Sequence, residues 1–426
     1  MKTVLALAEK LKPFLVRIMP ISLLRKIKKN MIVKEMKKLE TRSPLLPFQR
    51  DGGLDGVNLI GYIQGEIGLG QSCRLVAETL LASEIPFTIY NYHQVSAIRM
   101  GDHSWDGKIT NATPYNINLI HINPYELPLA YSRIGRQTWD GRYNIAFWLW
   151  ELEKFPKEWI PALNLADEIW TPSEYASASI REVTSKPVLT MPYALENLEY
   201  GDYSREDFYL PNHMILFLCM YDTSSTMERK NPIGVIKAFK KAFSRENNDI
   251  GLVIKVNNPR QCDIEKIKHE TAGYSNIFLL TEVHTKAQVN ALISCVDVYV
   301  SLHRAEGFGL VPAEAMLLGT PVVATNWSAN TEFMNQETAC LVDYTFVSID
   351  KTFGPYQPGN RWAEPNLDSA AGHMRNLALD ENLRNEMSQN AKRYIQEHFN
   401  ARTAGERLKQ RLNEVYIINE RHISHT

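Results

Sequence analysis

The sequence is poor in cysteine, and its cysteines are not paired. Among 426 residues there are five, Cys73, Cys219, Cys262, Cys295 and Cys340, which lie far apart and form no Cys-x-x-Cys pair. A disulfide framework or a cysteine-based zinc site requires closer, paired spacing. The pattern therefore excludes both and predicts free thiols in a reducing compartment.

A long hydrophobic run is also missing. No stretch reaches about 18 uncharged apolar residues, the length that a transmembrane helix requires. The short apolar run at residues 3–8 is interrupted by Glu9, Lys10 and Lys12, which is a poor pattern for a signal peptide. The sequence therefore predicts a cytoplasmic protein without a membrane-spanning helix.

Net charge is nearly absent, but it is unevenly distributed. The formal charge of -1 gives no reason to expect a nucleic-acid partner. Residues 1–40, however, carry eleven Lys and Arg against three Asp and Glu, a net +8, interleaved with apolar residues. A basic amphipathic segment is typical of a membrane-surface or partner-binding helix. A helix packed on the body with a solvated basic face explains the pattern equally well.

Short apolar runs alternate with helical patterns in two successive stretches. The first begins after the Pro- and Gly-rich linker Arg42–Gly56, and the pattern restarts at His213. This alternation predicts two α/β units with parallel sheets, joined near residues 192–212 and facing each other across a cleft. In such sheets ligands bind beyond the carboxyl ends of the strands.

The most informative motif lies at Glu306–Met316, where a predicted strand leads through a Gly-rich loop into a helix. The loop contains Gly307, Phe308, Gly309 and Leu310. The N–H groups of such a loop form an anion site that suits a diphosphate. Glu306 and Glu314 lie eight residues apart, and carboxylates accept bidentate hydrogen bonds from vicinal diols. One can therefore hold sugar hydroxyls and the other ribose hydroxyls.

This string resembles the E-x7-E motif of retaining glycosyltransferases, and in particular family 4, the glycosyl transferases group 1. The following segment Gly319–Thr325 resembles the G-x-PVVAT strand of that family. Residues 328–330 depart from the family, in which many members carry a Gly-Gly pair there. The resemblance implies a GT-B fold with a basic leader and linker (1–56), an acceptor-side domain (57–195), a nucleotide-sugar donor domain (196–395) and a C-terminal helix crossing back (396–426).

Arg229 and Lys230 stand side by side before a predicted helix that begins at Pro232. Two adjacent cations can neutralise a diphosphate leaving group, where a glycosyl transfer gains much of its rate. The resemblance implies this role for both, and we place Glu306 with them as a candidate catalytic residue. Glu314 and the 307–310 loop are candidates for donor binding. A solvated pair before a helix is the alternative.

A second glycine loop, Gly61–Ser72, follows the first strand. It lacks the G-x-G-x-x-G order and has no GK[ST], so it is neither a dinucleotide fingerprint nor a P-loop, and a NAD-dependent oxidoreductase is disfavoured. In the resembling family such loops lie beside the donor and acceptor. We therefore take Gly68 and Gly70 as donor-binding candidates, although a tight turn alone explains them.

Aromatic residues cluster at 143–159, and aromatic faces are good platforms for sugars. Trp150 is therefore an acceptor-side candidate. Glu151 is a catalytic candidate because related enzymes carry a catalytic-site histidine in this segment; alternatively, it is the first acid of a solvated helix. His121, at the end of the preceding strand, is a second acceptor-side candidate, although a lone histidine is more often structural.

Two further donor-binding candidates lie in the second unit. Lys255 ends a predicted strand and is expected to reach the cleft. Val283 follows another strand, at the place where members of the resembling family hold the nucleobase, largely through backbone groups.

The resemblance implies a retaining, metal-independent transferase whose nucleoside-diphosphate sugar is a substrate and not a cofactor. It implies a saccharide or lipid-linked acceptor and a role in polysaccharide biosynthesis (lipopolysaccharide, O-antigen or capsule), at the inner face of the cytoplasmic membrane. Because fold does not fix reaction, a nucleotide-sugar epimerase or hydrolase and a non-catalytic glycan-binding scaffold are the alternatives.

Overall fold

The computed structural model describes residues 21–93, 99–196 and 198–423. Residues 1–20 of the basic leader lie outside this part of the chain. The described residues form two six-stranded parallel sheets flanked by helices, and a two-stranded antiparallel sheet. The predicted fold class, two doubly wound α/β domains, is confirmed.

The first sheet has the strand order β2-β1-β3-β4-β5-β6. Its strands are β1 (Leu54–Gly61), β2 (Phe87–Asn91), β3 (Tyr115–His121), β4 (Tyr143–Phe147), β5 (Glu168–Thr171) and β6 (Val188–Thr190). The helices of this part are α1 (Ile21–Thr41), α2 (Gly68–Ala82), α3 (Leu127–Ile134) and α4 (Glu174–Arg181). The central strands are buried along most of their length because helices cover both faces of the sheet.

The second sheet has the strand order β12-β11-β10-β7-β8-β9. Its strands are β7 (Ile215–Asp222), β8 (Ile250–Asn257), β9 (Ile277–Leu280), β10 (Val298–Ser301), β11 (Val322–Thr325) and β12 (Cys340–Val342). Its helices are α5 (Met227–Lys230), α6 (Pro232–Ala242), α7 (Gln261–Thr271), α8 (Lys286–Cys295) and α9 (Leu310–Leu318). From the neighbouring strands β7 and β10 the chain adds strands in opposite directions across the sheet. A crevice forms at this switch point, and such sheets bind ligands there.

An antiparallel hairpin follows the second sheet and was not predicted. It consists of β13 (Tyr344–Ser348) and β14 (Arg361–Pro365). The chain ends in α10 (Leu367–Leu379), α11 (Glu381–His398) and α12 (Ala401–Ile423). The last helix packs on α2 of the first domain, where Arg411 forms two hydrogen bonds of 2.6 and 3.0 Å with the buried carboxylate of Glu168.

The described part of the basic leader, α1, lies against the first domain. It buries Ile32, Met36 and Leu39, and Lys28 pairs with Glu126 at the start of α3. No helix within the described residues is long and apolar enough to cross a bilayer.

Candidate active site

A cleft with a volume of about 1400 Å³ separates the two sheets. From the first domain it is lined by the loops after β1 and β4, and from the second by the loops after β7, β8, β9 and β10. All these loops leave the carboxyl ends of their strands, which is where parallel sheets bind ligands. The hairpin loop, residues 352–356, forms a further part of the wall.

Three charged side chains meet at one point of the cleft. Lys230 Nζ lies 2.5 Å from Glu306 Oε1, and Arg229 Nη1 lies 3.0 Å from Glu306 Oε2. Arg229 also donates to the Ala305 carbonyl oxygen and to Ser225 Oγ, each at 2.8 Å. The structure thus brings the adjacent Arg229 and Lys230 together with Glu306, which lies 76 positions after Lys230 in the sequence. The cluster faces the space between the domains.

Electrostatics keep Glu306 and Arg229 ionised. Burial by itself raises the pKa of Glu306, but the charges of Arg229 and Lys230 outweigh it and lower the pKa to about 2. Burial likewise lowers the pKa of Arg229, and the attraction of Glu306 reverses this and raises it. One carboxylate therefore faces two cations. Two adjacent cations at the edge of the cleft suit a phosphate group, although a second carboxylate, Glu151, lies 3.9 Å from Arg229.

Local sequence explains why the two cations project here. Thr226 caps α5, with its hydroxyl accepting from the Arg229 N–H at 3.3 Å. Asn231 adopts a left-handed conformation at φ 51°, caps α6 through the Gly234 N–H at 3.1 Å, and donates to the Leu302 carbonyl oxygen at 2.9 Å. The short helix is therefore fixed to the end of β10, next to Glu306.

The 307–310 loop is held by both domains. Ser173 of the first domain caps α4 and donates from Oγ to the Gly307 carbonyl oxygen at 2.7 Å. A Cβ at Gly307 would lie 2.9 Å from the Trp150 carbonyl oxygen. The Phe308 ring meets the Tyr193 ring edge-on with centroids 4.9 Å apart. All four loop residues line the cleft, and Leu310 begins α9.

Glu314 projects from α9 into the cleft wall, where Lys286 at the start of α8 pairs with it at 2.7 Å. Lys286 was not among the predicted site residues. Val283 lies nearby in the loop after β9, is 60% exposed and lines the cleft. The residue is thus open to a ligand.

The prediction that Lys255 reaches the cleft is wrong. Its side chain is fully buried, and Nζ donates to Asn257 Oδ1 at 2.8 Å and to the Glu282 carbonyl oxygen at 2.9 Å. Burial lowers the pKa of Lys255 to about 8. The residue therefore supports the loop that carries Val283 and does not line the cleft.

The two predicted glycines differ. Gly68 lines the cleft, and a Cβ there would have no neighbour within 4 Å among the described atoms. Gly70 does not line the cleft, and a Cβ there would lie 2.0 Å from the Gly65 carbonyl oxygen, so the structure favours the tight-turn alternative at this glycine. Arg74 braces the same loop by donating to the carbonyl oxygens of Ile63 and Gly65 at 2.8 and 3.1 Å.

Glu151 lies in the loop after β4 and not in a helix, so the solvated-helix alternative is wrong. Its Oε1 is 3.9 Å from Arg229 Nη2. Trp150 lies at the cleft wall but is buried among Phe155, Trp159 and Tyr356. The prediction of an open sugar platform at Trp150 is therefore wrong, because neighbouring aromatic rings occupy its surroundings.

The prediction that His121 lies on the acceptor side of the cleft is also wrong. The side chain is fully buried, stacks on Phe147 with ring centroids 4.9 Å apart, and does not line the cleft. Burial lowers its pKa to about 4, so the imidazole is neutral. Its Nε2 is 2.7 Å from Ser72 Oγ, which lies 2.5 Å from the Tyr193 hydroxyl. His121 thus contacts the cleft only through Ser72.

Tyr356, from the hairpin loop, is the main site residue that the sequence did not reveal. It is buried against Trp150 and lies under the Arg229 guanidinium, with Cζ 6.0 Å from its ring centroid. Burial raises the pKa of Tyr356 well above its ordinary value, so its hydroxyl stays protonated. Among the described residues no group of three or more His, Cys, Asp or Glu side chains could hold a metal ion.

A family model matches the second domain of the chain. Residues 223–394 match the family described as Glycosyl transferases group 1. The chain is 30% identical over 118 residues to the lipopolysaccharide core biosynthesis mannosyltransferase LpsB of Rhizobium meliloti. That match covers 26% of this chain and 33% of the relative, so it spans about a third of the relative's length.

Solved structures show the fold. The HepE protein of Anabaena, crystallised in complex with UDP-glucose, superposes with a TM-score of 0.61 at 12% identity, covering 85% of this chain and 100% of that one. Sucrose-phosphate synthase of Thermosynechococcus elongatus gives a TM-score of 0.60 at 14% identity, with coverage of 88% and 100%. The two domains have the GT-B fold of glycosyltransferases.

Proposed function

We propose that this protein is a retaining glycosyltransferase that moves a sugar from a nucleoside-diphosphate sugar to a saccharide or lipid-linked acceptor. The observation that carries the proposal is the cluster of buried Arg229 and Glu306 with half-buried Lys230 in a cleft of the GT-B fold. The match of residues 223–394 to a glycosyl transferase family includes all three. LpsB and UDP-bound HepE support the acceptor class and the donor class, respectively.

In this reaction the bond between the sugar anomeric carbon and the donor phosphate oxygen breaks. Arg229 and Lys230 neutralise the charge that develops on the departing diphosphate. An acceptor hydroxyl forms the new bond on the same face of the sugar and passes its proton to the departing phosphate oxygen. Loop residues 307–310 orient the donor, and Glu314 and Glu306 hold its diols.

The first test is a thermal-shift and binding screen against UDP, GDP, TDP, ADP and CMP, with and without their sugars. We expect one nucleotide to stabilise the protein selectively, and R229A and K230A to abolish this response. Arg245→Ala is the matched control, since Arg245 pairs with Glu246 on the surface of the same domain. A protein that responds to none of the nucleotides, or an R229A protein that responds like wild type, would refute the assignment.

Retention and metal independence have their own tests. The coupling constant of the product's anomeric proton, followed by NMR from the first turnovers, should match the anomer of the donor. Turnover should persist in EDTA. An inverted anomer would contradict the mechanism, and release of free sugar or of an epimer without acceptor would favour the hydrolase or epimerase.

We also propose that the basic leader binds an anionic membrane surface, which fits a lipid-linked acceptor and a role in polysaccharide biosynthesis. Helix α1 leaves Lys29, Lys34, Ile27 and Val33 exposed, while its other face packs on the body. Sedimentation with vesicles of anionic or neutral lipid tests this. The full chain should bind the anionic vesicles, and K29E/K34E should weaken this binding; equal binding by both proteins would refute the idea.

A further inference from the structure

The loop after β11 holds one residue in an unusual backbone conformation. Ser328, with φ 76° and ψ -160°, lies in a region of backbone space that essentially only glycine occupies. A glycine adopts this conformation without strain, because it has no Cβ. Strain of this kind is retained at functional sites where the surrounding structure holds it in place. The contacts of the Ser328 side chain therefore indicate what the strained conformation supports.

The Ser328 hydroxyl holds the main chain of Glu306. Ser328 is buried, and its Oγ accepts a hydrogen bond from the Glu306 N–H at 2.9 Å. The Glu306 carbonyl oxygen in turn accepts from the Ala329 N–H at 3.3 Å. A glycine at position 328 would provide only the second of these contacts. The main chain of Glu306 is thus fixed at both its N–H and its carbonyl, while its carboxylate pairs with Arg229 and Lys230.

The rest of the loop keeps Ser328 in place. Asn330 Nδ2 donates to the Thr325 carbonyl oxygen, at the end of β11, at 3.0 Å. Thr331 Oγ1 donates to the Ser328 carbonyl oxygen at 2.8 Å. The Glu332 carboxylate accepts hydrogen bonds of 2.9 and 2.7 Å from the N–H groups of the first two residues of α4, in the first domain. These contacts, from both domains, over-determine the loop and retain its strained conformation.

We infer that Ser328 is a positioning residue: its hydroxyl fixes the main chain of Glu306 and thereby keeps the Glu306 carboxylate against Arg229 and Lys230, in the arrangement that receives the donor diphosphate. The inference rests on the proposed donor site. Ser328 does not line the cleft, so it acts through Glu306. Without the hydroxyl, the buried N–H of Glu306 loses its acceptor and the loop relaxes around it. The charge cluster then has to be ordered when a ligand binds, which weakens binding.

Two substitutions separate the hydroxyl from the strain. S328A removes the hydroxyl and keeps a Cβ in the glycine-like conformation, whereas S328G removes the hydroxyl and relieves the strain. S328G should therefore unfold at a higher temperature than S328A. Both should nevertheless weaken the binding of the preferred nucleotide among UDP, GDP and ADP by about tenfold in isothermal titration calorimetry, because both lack the acceptor for the Glu306 N–H. A role in stability alone would make the affinity follow the unfolding temperature.

The matched control is S388A, which removes a hydroxyl that donates to the Gly319 carbonyl oxygen at 2.6 Å in the same domain and does not line the cleft. Its nucleotide affinity should equal that of wild type. S328G keeps the inference testable should S328A not fold, and wild-type affinity in either folded variant would overturn it. So would an equal loss of affinity in S388A. If the wild-type protein binds none of the three nucleotides, the proposed function fails as well, and the inference with it.

Discussion

Replacing Glu306 by glutamine tests whether the buried carboxylate stabilises the second domain by compensating two cations. The pKa of Glu306 falls from its ordinary value of 4.5 to about 2 in the folded protein. This difference corresponds to roughly 3 kcal/mol of folding free energy at neutral pH. The amide keeps the shape but removes the charge, so Arg229 and Lys230 repel each other without compensation. We expect E306Q to unfold roughly 6–12 °C below wild type at pH 7.

The pH dependence makes this prediction specific. Because the folded pKa is depressed, the stabilisation is complete above pH 4.5 and is lost as the pH falls toward 2. Calorimetric scans should therefore show a large difference in unfolding temperature between wild type and E306Q at pH 7, and a smaller difference at pH 3. Glu84→Gln is the control, since Glu84 is 81% exposed and pairs with Lys409 on the surface. A difference of the same size at both pH values would refute the reasoning.

Three further outcomes follow from the geometry. Gly70→Ala should lower the unfolding temperature by several degrees and Gly68→Ala should not, because only the first Cβ would collide with a backbone oxygen, at 2.0 Å. Arg411→Ala should destabilise the protein by about 3–5 kcal/mol in chemical denaturation, since it leaves the Glu168 carboxylate buried without its cation. Glu314→Ala should raise the donor KM at least tenfold in steady-state kinetics, and wild-type rates would exclude a donor contact.

The fold was predictable because hydrophobic alternation and helix caps are local signals. The second unit begins close to the predicted restart at His213, since β7 starts at Ile215, and the helix predicted to begin at Pro232 does begin there, with Asn231 as its cap. The 306–310 loop was predictable for a similar reason: its glycines lie between a buried strand and a helix. Side chains in such a loop face the carboxyl end of the sheet whatever the rest of the chain does.

Two polar residues at strand ends do not lie where the sequence pattern predicts them. His121 is the last residue of β3 and Lys255 lies near the end of β8, so both were expected in the cleft. Along a strand, however, successive side chains point to opposite faces, and a shift of one residue turns a cleft residue into a buried one. Sequence gives the end of a strand to within about two residues, which is not enough to decide the face.

The hairpin was beyond sequence reasoning for a different reason. Its loop is 205 residues from Glu151 along the chain, and no periodic pattern marks Tyr356 as a site residue. What assigns it a role is a coincidence of three elements: the segment after β4, the short helix α5, and a loop fixed by Arg361 to the first domain. None of the three elements carries a sequence pattern that marks it as part of a site. Because Glu151, Arg229 and Tyr356 come from three distant segments of the chain, the charge that the cleft offers to a diphosphate depends on three-dimensional contacts that no local sequence pattern predicts.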